Sequence, residues 1–140
     1  VISMKKNFIN EEEVEAMKSL PLLIKKLNSA GNYKQAFKNV YDAMSKYPDN
    51  PVPHNLLGIL LEKSGDHNLA MKHFRIAWIL DPTYEPANQN LLNFGDFYSK
   101  KHFAYSEEDC PKEKKESYTI IYDDKHIGHV VKKNDYYNLD

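Results

Sequence analysis

Residues 51–84 read PVPHNLLGILLEKSGDHNLAMKHFRIAWILDPTY, and the stretch before them, 17–50, reads MKSLPLLIKKLNSAGNYKQAFKNVYDAMSKYPDN. The two align without a gap. Ala36, Ala43 and Pro48 recur as Ala70, Ala77 and Pro82. Leu23 and Leu27 recur as Leu57 and Leu61, and Gly31-Asn32 recurs as Gly65-Asp66. A 34-residue period with this punctuation is the signature of a helix–turn–helix repeat array.

Each unit reads as two helices. Leu20, Leu23, Ile24 and Leu27 follow an i, i+3, i+4, i+7 stripe, which predicts a helix. Gly31 ends it, because glycine readily takes the left-handed conformation at a helix C-terminus. Tyr33, Ala36, Phe37, Val40, Met44 and Tyr47 then mark a second helix, which Pro48 stops because proline cannot continue the hydrogen-bond ladder. In unit two the same places are taken by Leu57, Gly58 and Leu61, then by Ala70, Phe74, Ala77 and Trp78, with Pro82 as the stop. Gly58, Ala70 and Ala77 let helix backbones approach closely while Leu and Phe fill the space beside them. Trp78 is expected in the repeat core or under the cap, where a large aromatic buries much area.

At Leu57-Gly58, Leu61, Ala70, Phe74, Ala77 and Pro82 the second unit resembles the tetratricopeptide repeat family. It departs at His54, where that family usually has an aromatic or large apolar residue. The first unit departs at Ile24, in place of the small residue, and at Val40, in place of Phe. The resemblance covers residues 17–84. It implies an all-α fold, a right-handed superhelical array, and a concave groove lined by the first helix of each unit. In that register the groove positions are Lys18, Pro21, Leu22, Lys25 and Asn28, then Val52, Asn55, Leu56, Ile59 and Glu62, then Pro86, Gln89, Asn90, Asn93 and Asp96. Asn55, Gln89, Asn90 and Asn93 would form a cluster of amides, each able to donate and accept, which suits an extended peptide backbone. Leu56 and Ile59 would take an apolar side chain. Family members that bind chaperone C-terminal tails hold the carboxylate with Lys, Arg and Asn. The matching positions here are Pro21, Lys25, Leu56, Pro86 and Asn90, so that clamp is not expected.

Outside the two units, 17–50 and 51–84, the chain divides further. Residues 1–16 form an N-terminal segment and helix, begun by Asn10 and the first-turn acids Glu11, Glu12 and Glu13. That helix is expected to break near Ser19, with Pro21 in the first turn of the next. Residues 85–103, with Pro86, Ala87, Leu91 and Leu92, read as a helix capping the array. Residues 104–116 read as a charged linker containing Pro111, 117–132 as a small C-terminal β-hairpin, and 133–140 as an uninformative tail. A turn at Asp124-Lys125 would set Tyr122 opposite Ile127, Ile120 opposite His129 and Tyr118 opposite Val131.

Composition bounds the function. With 140 residues and a formal net charge of -1, the chain lacks the basic excess that drives nonspecific nucleic-acid binding. Cys110 is the one cysteine, so no internal disulfide forms. No apolar run approaches a membrane span, and the N-terminus has no signal-peptide pattern; Met4 reads as a natural start. A soluble cytoplasmic protein is expected. There is no Gly-rich phosphate loop, GxSxG elbow or HExxH, so no enzyme, catalytic residue or cofactor is expected. Cys110, His126, His129, Asp123 and Asp124 are metal-ligand types, but residues three apart on a strand point to opposite faces, and no metal site is assigned. The expected role is a non-enzymatic protein–protein interaction scaffold whose groove holds a protein or peptide segment through Lys25, Asn55, Leu56, Ile59, Gln89, Asn90 and Asn93. The alternatives are a module that dimerises through its hairpin, and a metal- or redox-linked regulatory domain.

Overall fold

A computed structural model describes residues 10–95, 102–111 and 118–132. The expected N-terminal segment before Asn10, the end of the capping helix at 96–101, linker residues 112–117 and the tail lie outside the described residues. The fold is mostly helical. Among the described residues, five α-helices follow one another: α1 (Glu11–Ser29), α2 (Tyr33–Lys46), α3 (Pro51–Lys63), α4 (His67–Leu80) and α5 (Glu85–Phe94). None of them is long and apolar enough to cross a membrane. The chain divides into two compact units, 1–110 and 111–140.

The 34-residue period of the sequence is also a period of the backbone. Both ends of α2 reappear 34 residues later as the ends of α4, and the start of α3 reappears as the start of α5. The turn after α1 has Gly31 at φ 73°, and the turn after α3 has Gly65 at φ 90°. Such a φ is strained for any residue with a Cβ. In each turn a 6→1 bond closes the helix end: Asn32 N donates to the Leu27 carbonyl (2.8 Å) and Asp66 N to the Leu61 carbonyl (2.9 Å). The same two side chains then cap the following helix, Asn32 accepting from Gln35 N and Asp66 from Leu69 N.

Packing centres on α3, which touches α1, α2, α4 and α5. Neighbours on several sides require an apolar surface nearly all round, and Val52 to Leu61 of α3 are buried apart from the half-buried His54. Ile24, Val40, Leu56, Ile59, Leu60 and Phe74 have no exposed surface. Gly58 is where α3 and α4 meet most closely: a Cβ there would lie 2.4 Å from Phe74 Cε1.

Three expectations about the helices are corrected. The break near Ser19 is absent: α1 runs through Pro21, whose ring is buried. Proline removes one donor and costs about 3 kcal/mol inside a helix, but Met17, Leu20, Pro21, Ile24 and Asn28 form one continuous buried stripe, and breaking the helix would divide it. Leu23 is 42 % exposed although its repeat partner Leu57 is buried: among the helices α1 packs mainly on α2 and α3, while α3 has helix neighbours on several sides. Trp78 is 45 % exposed rather than in the core. The buried stripe of α4 is Ala70, Met71, Phe74 and Ala77, and one residue beyond Ala77 lies about 100° around the helix.

At the position where the repeat pattern lacks its usual apolar residue, His54 stacks on His73 of α4, with ring centroids 5.4 Å apart and Nδ1 atoms 3.2 Å apart. Burial holds both imidazoles below the ordinary histidine range, and the neighbouring His73 pushes His54 further down. A base whose folded value is depressed is protonated more readily in the unfolded chain. Its stability contribution is therefore full above the unfolded value of about 6.5 and declines as pH falls toward the folded one. The melting temperature is expected to drop between about pH 7.5 and pH 5.5, and His54→Phe should flatten that dependence. Circular-dichroism melts at the two pH values check this; equal slopes in parent and variant would rule the histidine pair out as the cause.

In the second unit, β1 (Tyr118–Tyr122) and β2 (Gly128–Lys132) pair antiparallel. The register differs by one residue from that expected. Tyr122 lies opposite Gly128, Ile120 opposite Val130 and Tyr118 opposite Lys132. The reason is Asp123, whose Oδ1 accepts from both Lys125 N (2.9 Å) and Ile127 N (3.0 Å). His126 takes φ 63° and absorbs the added loop residue. The Asp123 carboxyl is held below its usual range, first by its bond from His129 and then by these backbone donors.

Candidate functional site

The polar residues of the expected groove are set on α1, α3 and α5. Lys25 and Asn28 lie on α1, Asn55 on α3, and Gln89, Asn90 and Asn93 on α5. Asn55 and Asn90 have no exposed surface at all. A buried amide that lacks partners costs free energy, so each must be bonded, and both are bonded to the same residue. Asn55 Nδ2 donates to the Ala104 carbonyl (2.9 Å). Asn90 Nδ2 donates to that carbonyl (2.9 Å) and to Asn55 Oδ1 (2.8 Å), while Asn90 Oδ1 accepts from Ala104 N (2.8 Å). One asparagine thus satisfies both backbone groups of one residue, as a neighbouring β-strand would.

The segment from His102 to Tyr105, called the strap below, lies along these amides. Asn93 Nδ2 donates to the His102 carbonyl (2.8 Å), and Gln89 Nε2 holds Asn93 Oδ1 (2.8 Å). Ala104 is 1 % exposed and Tyr105 7 %. The Phe103 ring stacks on Phe94 at 4.7 Å, and Lys63 Nζ lies 4.9 Å from its centroid. Tyr105 OH accepts from Asn28 Nδ2 (3.1 Å), and Lys25 Nζ stands 5.6 Å from the Tyr105 ring centroid. Lys25 also pairs with Asp109 Oδ1 (3.1 Å), whose other oxygen accepts from Tyr105 N (3.1 Å). Leu56 and Ile59 belong to the same buried apolar cluster as Tyr105.

No protein-family model matches the chain, and no curated protein matches it.

Of the seven groove residues expected from the sequence, Lys25, Asn55, Gln89, Asn90 and Asn93 stand in this bonded network, whereas Leu56 and Ile59 are fully buried in the core; two segment boundaries change. The capping helix ends at Phe94, and residues 102–104 are not helical, so 85–103 is not one helix. The charged linker expected from 104 starts with two buried residues, Ala104 and Tyr105. The signal that could have revealed this was the triplet Phe103-Ala104-Tyr105, an apolar island directly before Glu107-Glu108-Asp109. Asn28 was among the expected groove positions; Lys63 and Phe94 were missed.

After the strap the chain turns through a short 3-10 helix, Glu107–Asp109, to Cys110. Burial, together with Glu85, Glu107 and Asp109, pushes the Cys110 thiol up to about 11. The sulfur is therefore a neutral thiol near pH 7, the opposite of an activated nucleophile. Burial likewise keeps the Tyr84 phenol protonated. Among the described residues, no three His, Cys, Asp or Glu side chains are grouped so as to hold a metal ion.

Proposed function

We propose that the chain is a tetratricopeptide-type protein-binding module, a right-handed superhelical array with the strand pair as an appendage. Its amide-lined groove takes an extended segment of a partner in the place held by the strap. The observation that carries this reading is the pair of fully buried amides, Asn55 and Asn90, closed on the backbone of Ala104. Side chains that grip a segment at its backbone groups can hold any extended chain of acceptable shape, which is how peptide-recognition sites gain affinity apart from sequence. The backbone period of 34 residues supports the repeat assignment. The groove then needs no covalent chemistry, and exchange of one extended segment for another is the whole event.

The test uses the full chain with its strap unseated by Ala104→Pro and Tyr105→Ser, which removes the N–H that Asn90 binds and the phenol that Asn28 binds. Panning a random nonapeptide library on this variant is expected to enrich binders that lose affinity when Asn90→Ala is added. A library that yields no binder dependent on Asn90 would overturn the reading.

A further inference from the structure

Resting on that reading, we infer that the groove's partner is a protein segment carrying an aromatic residue, a small residue and a tyrosine in succession, with a carboxylate four residues after the tyrosine. The strap is the groove's own template for this pattern, and each of its four anchoring positions is restricted by a different contact. Phe103 lies against Phe94 and near Lys63, an arrangement that attracts a planar aromatic. Ala104 is held at both backbone groups and has 1 % of its surface exposed, so a longer side chain has nowhere to go. Tyr105 is distinguished from phenylalanine by Asn28, which donates to its hydroxyl inside the protein. Asp109 is distinguished from an amide by Lys25, which bonds it while standing near the Tyr105 ring. The cationic positions Lys25 and Lys63 flank a segment whose own charges include Glu107, Glu108 and Asp109, so the two surfaces are complementary in charge.

The cis strap sets how such a partner binds. Seven residues, 95–101, join the end of α5 to the strap. A ligand on so short a tether competes at an effective concentration of roughly millimolar. A partner offering the same contacts therefore binds the intact chain more weakly than it binds a chain whose strap cannot seat.

The probe is a fluorescein-labelled nonapeptide copying residues 102–110, with Cys110→Ser, titrated by anisotropy into the full chain and into its Ala104→Pro/Tyr105→Ser variant. The variant is expected to bind at least tenfold more tightly than the parent. Peptides with Ala104→Leu are expected to lose roughly tenfold or more, and those with Tyr105→Phe or Asp109→Asn roughly three- to tenfold, the worth of one hydrogen bond. Asp109→Lys in the chain is a milder release that leaves the buried strap residues intact; should the double variant fail to fold, as judged by circular dichroism, it serves in its place. Four equally tight peptides would overturn the proposed pattern while leaving groove binding standing. Absence of binding by every peptide would overturn both. Equal affinity of parent and released chain would place the peptide outside the groove and overturn the inference. A parent chain that light scattering shows as a dimer, dissociated by the strap substitutions, would make a second copy the occupant and overturn it as well.

Discussion

A chain carrying Gly58→Ala is expected to melt below the parent, although the same substitution inside an ordinary helix is stabilising by about 1 kcal/mol. The sign reverses because of where Gly58 stands. A Cβ there would lie 2.4 Å from Phe74 Cε1, 2.6 Å from Cδ1 and 2.9 Å from Cζ. Carbon atoms pack at about 3.5–4.0 Å, so the ring must retreat by about 1 Å. It has nowhere to retreat to: Phe74 has no exposed surface and lies 6.4 Å, centroid to centroid, from Phe94, which supports Phe103 in turn. Overpacking of this kind typically costs 1–3 kcal/mol, roughly. Gly58→Leu adds three further carbons at the same point and is expected to abolish the cooperative transition, since a domain of this size has about 5–15 kcal/mol in all. Phe74→Leu combined with Gly58→Ala should cost about 1 kcal/mol less than the sum of the single changes, because the smaller side chain makes room for the new methyl. Thermal and urea melts read all three. A higher melting temperature for Gly58→Ala would show that α3 and α4 do not meet as described.

Gly58 is also a case of what the sequence reveals readily. The Leu57-Gly58 pair, the two Gly turns and the Pro stops are local signals: each states the conformation of its own residue. Their spacing then carries the helix boundaries of α2 and α4 with it. Pro21 shows the opposite. Its local preference says helix start, yet α1 continues, because burial of the stripe from Met17 to Asn28 outweighs one missing hydrogen bond. The strand register shows a third kind of miss, since one carboxylate, Asp123, enlarges the loop by bonds that residue spacing does not record.

The amide site was half legible. The 34-residue register was enough to name Asn55 and Asn90 without a structure. Their occupant could not. Ala104 meets Asn55 across 49 residues of sequence, and nothing local marks that pairing. Residues 104–116 are rich in charge as a whole, and that average hides the apolar triplet at their edge. Buried amides carried the missing information: an asparagine with no exposed surface must have partners, and an apolar core offers none.

Asn90→Ala is the substitution expected to open the groove. It removes two bonds to Ala104 and one to Asn55. At about 1 kcal/mol net for each of the two bonds to Ala104, the strap loses about 2 kcal/mol of attachment. Keeping it seated would leave the Ala104 N–H buried without an acceptor, a further cost of about 1–3 kcal/mol. Release to water removes that second cost, so the strap should leave while the helices stay folded. Hydrogen exchange distinguishes the two outcomes. The amides of Ala104 and Tyr105 are expected to lose most of their protection in Asn90→Ala, whereas those of α3 and α4 keep theirs, as expected for opening of one segment below the global transition. Asn90→Asp sharpens the test. It retains an acceptor for Ala104 N but sets a carboxylate oxygen against the Ala104 carbonyl and Asn55 Oδ1, so it should release the strap at pH 7 at least as fully as alanine does. Unchanged protection at Ala104 in both variants would mean that the apolar contacts of Phe103 and Tyr105, rather than the amides, hold the segment, and the groove would then lose its claim to read a peptide backbone.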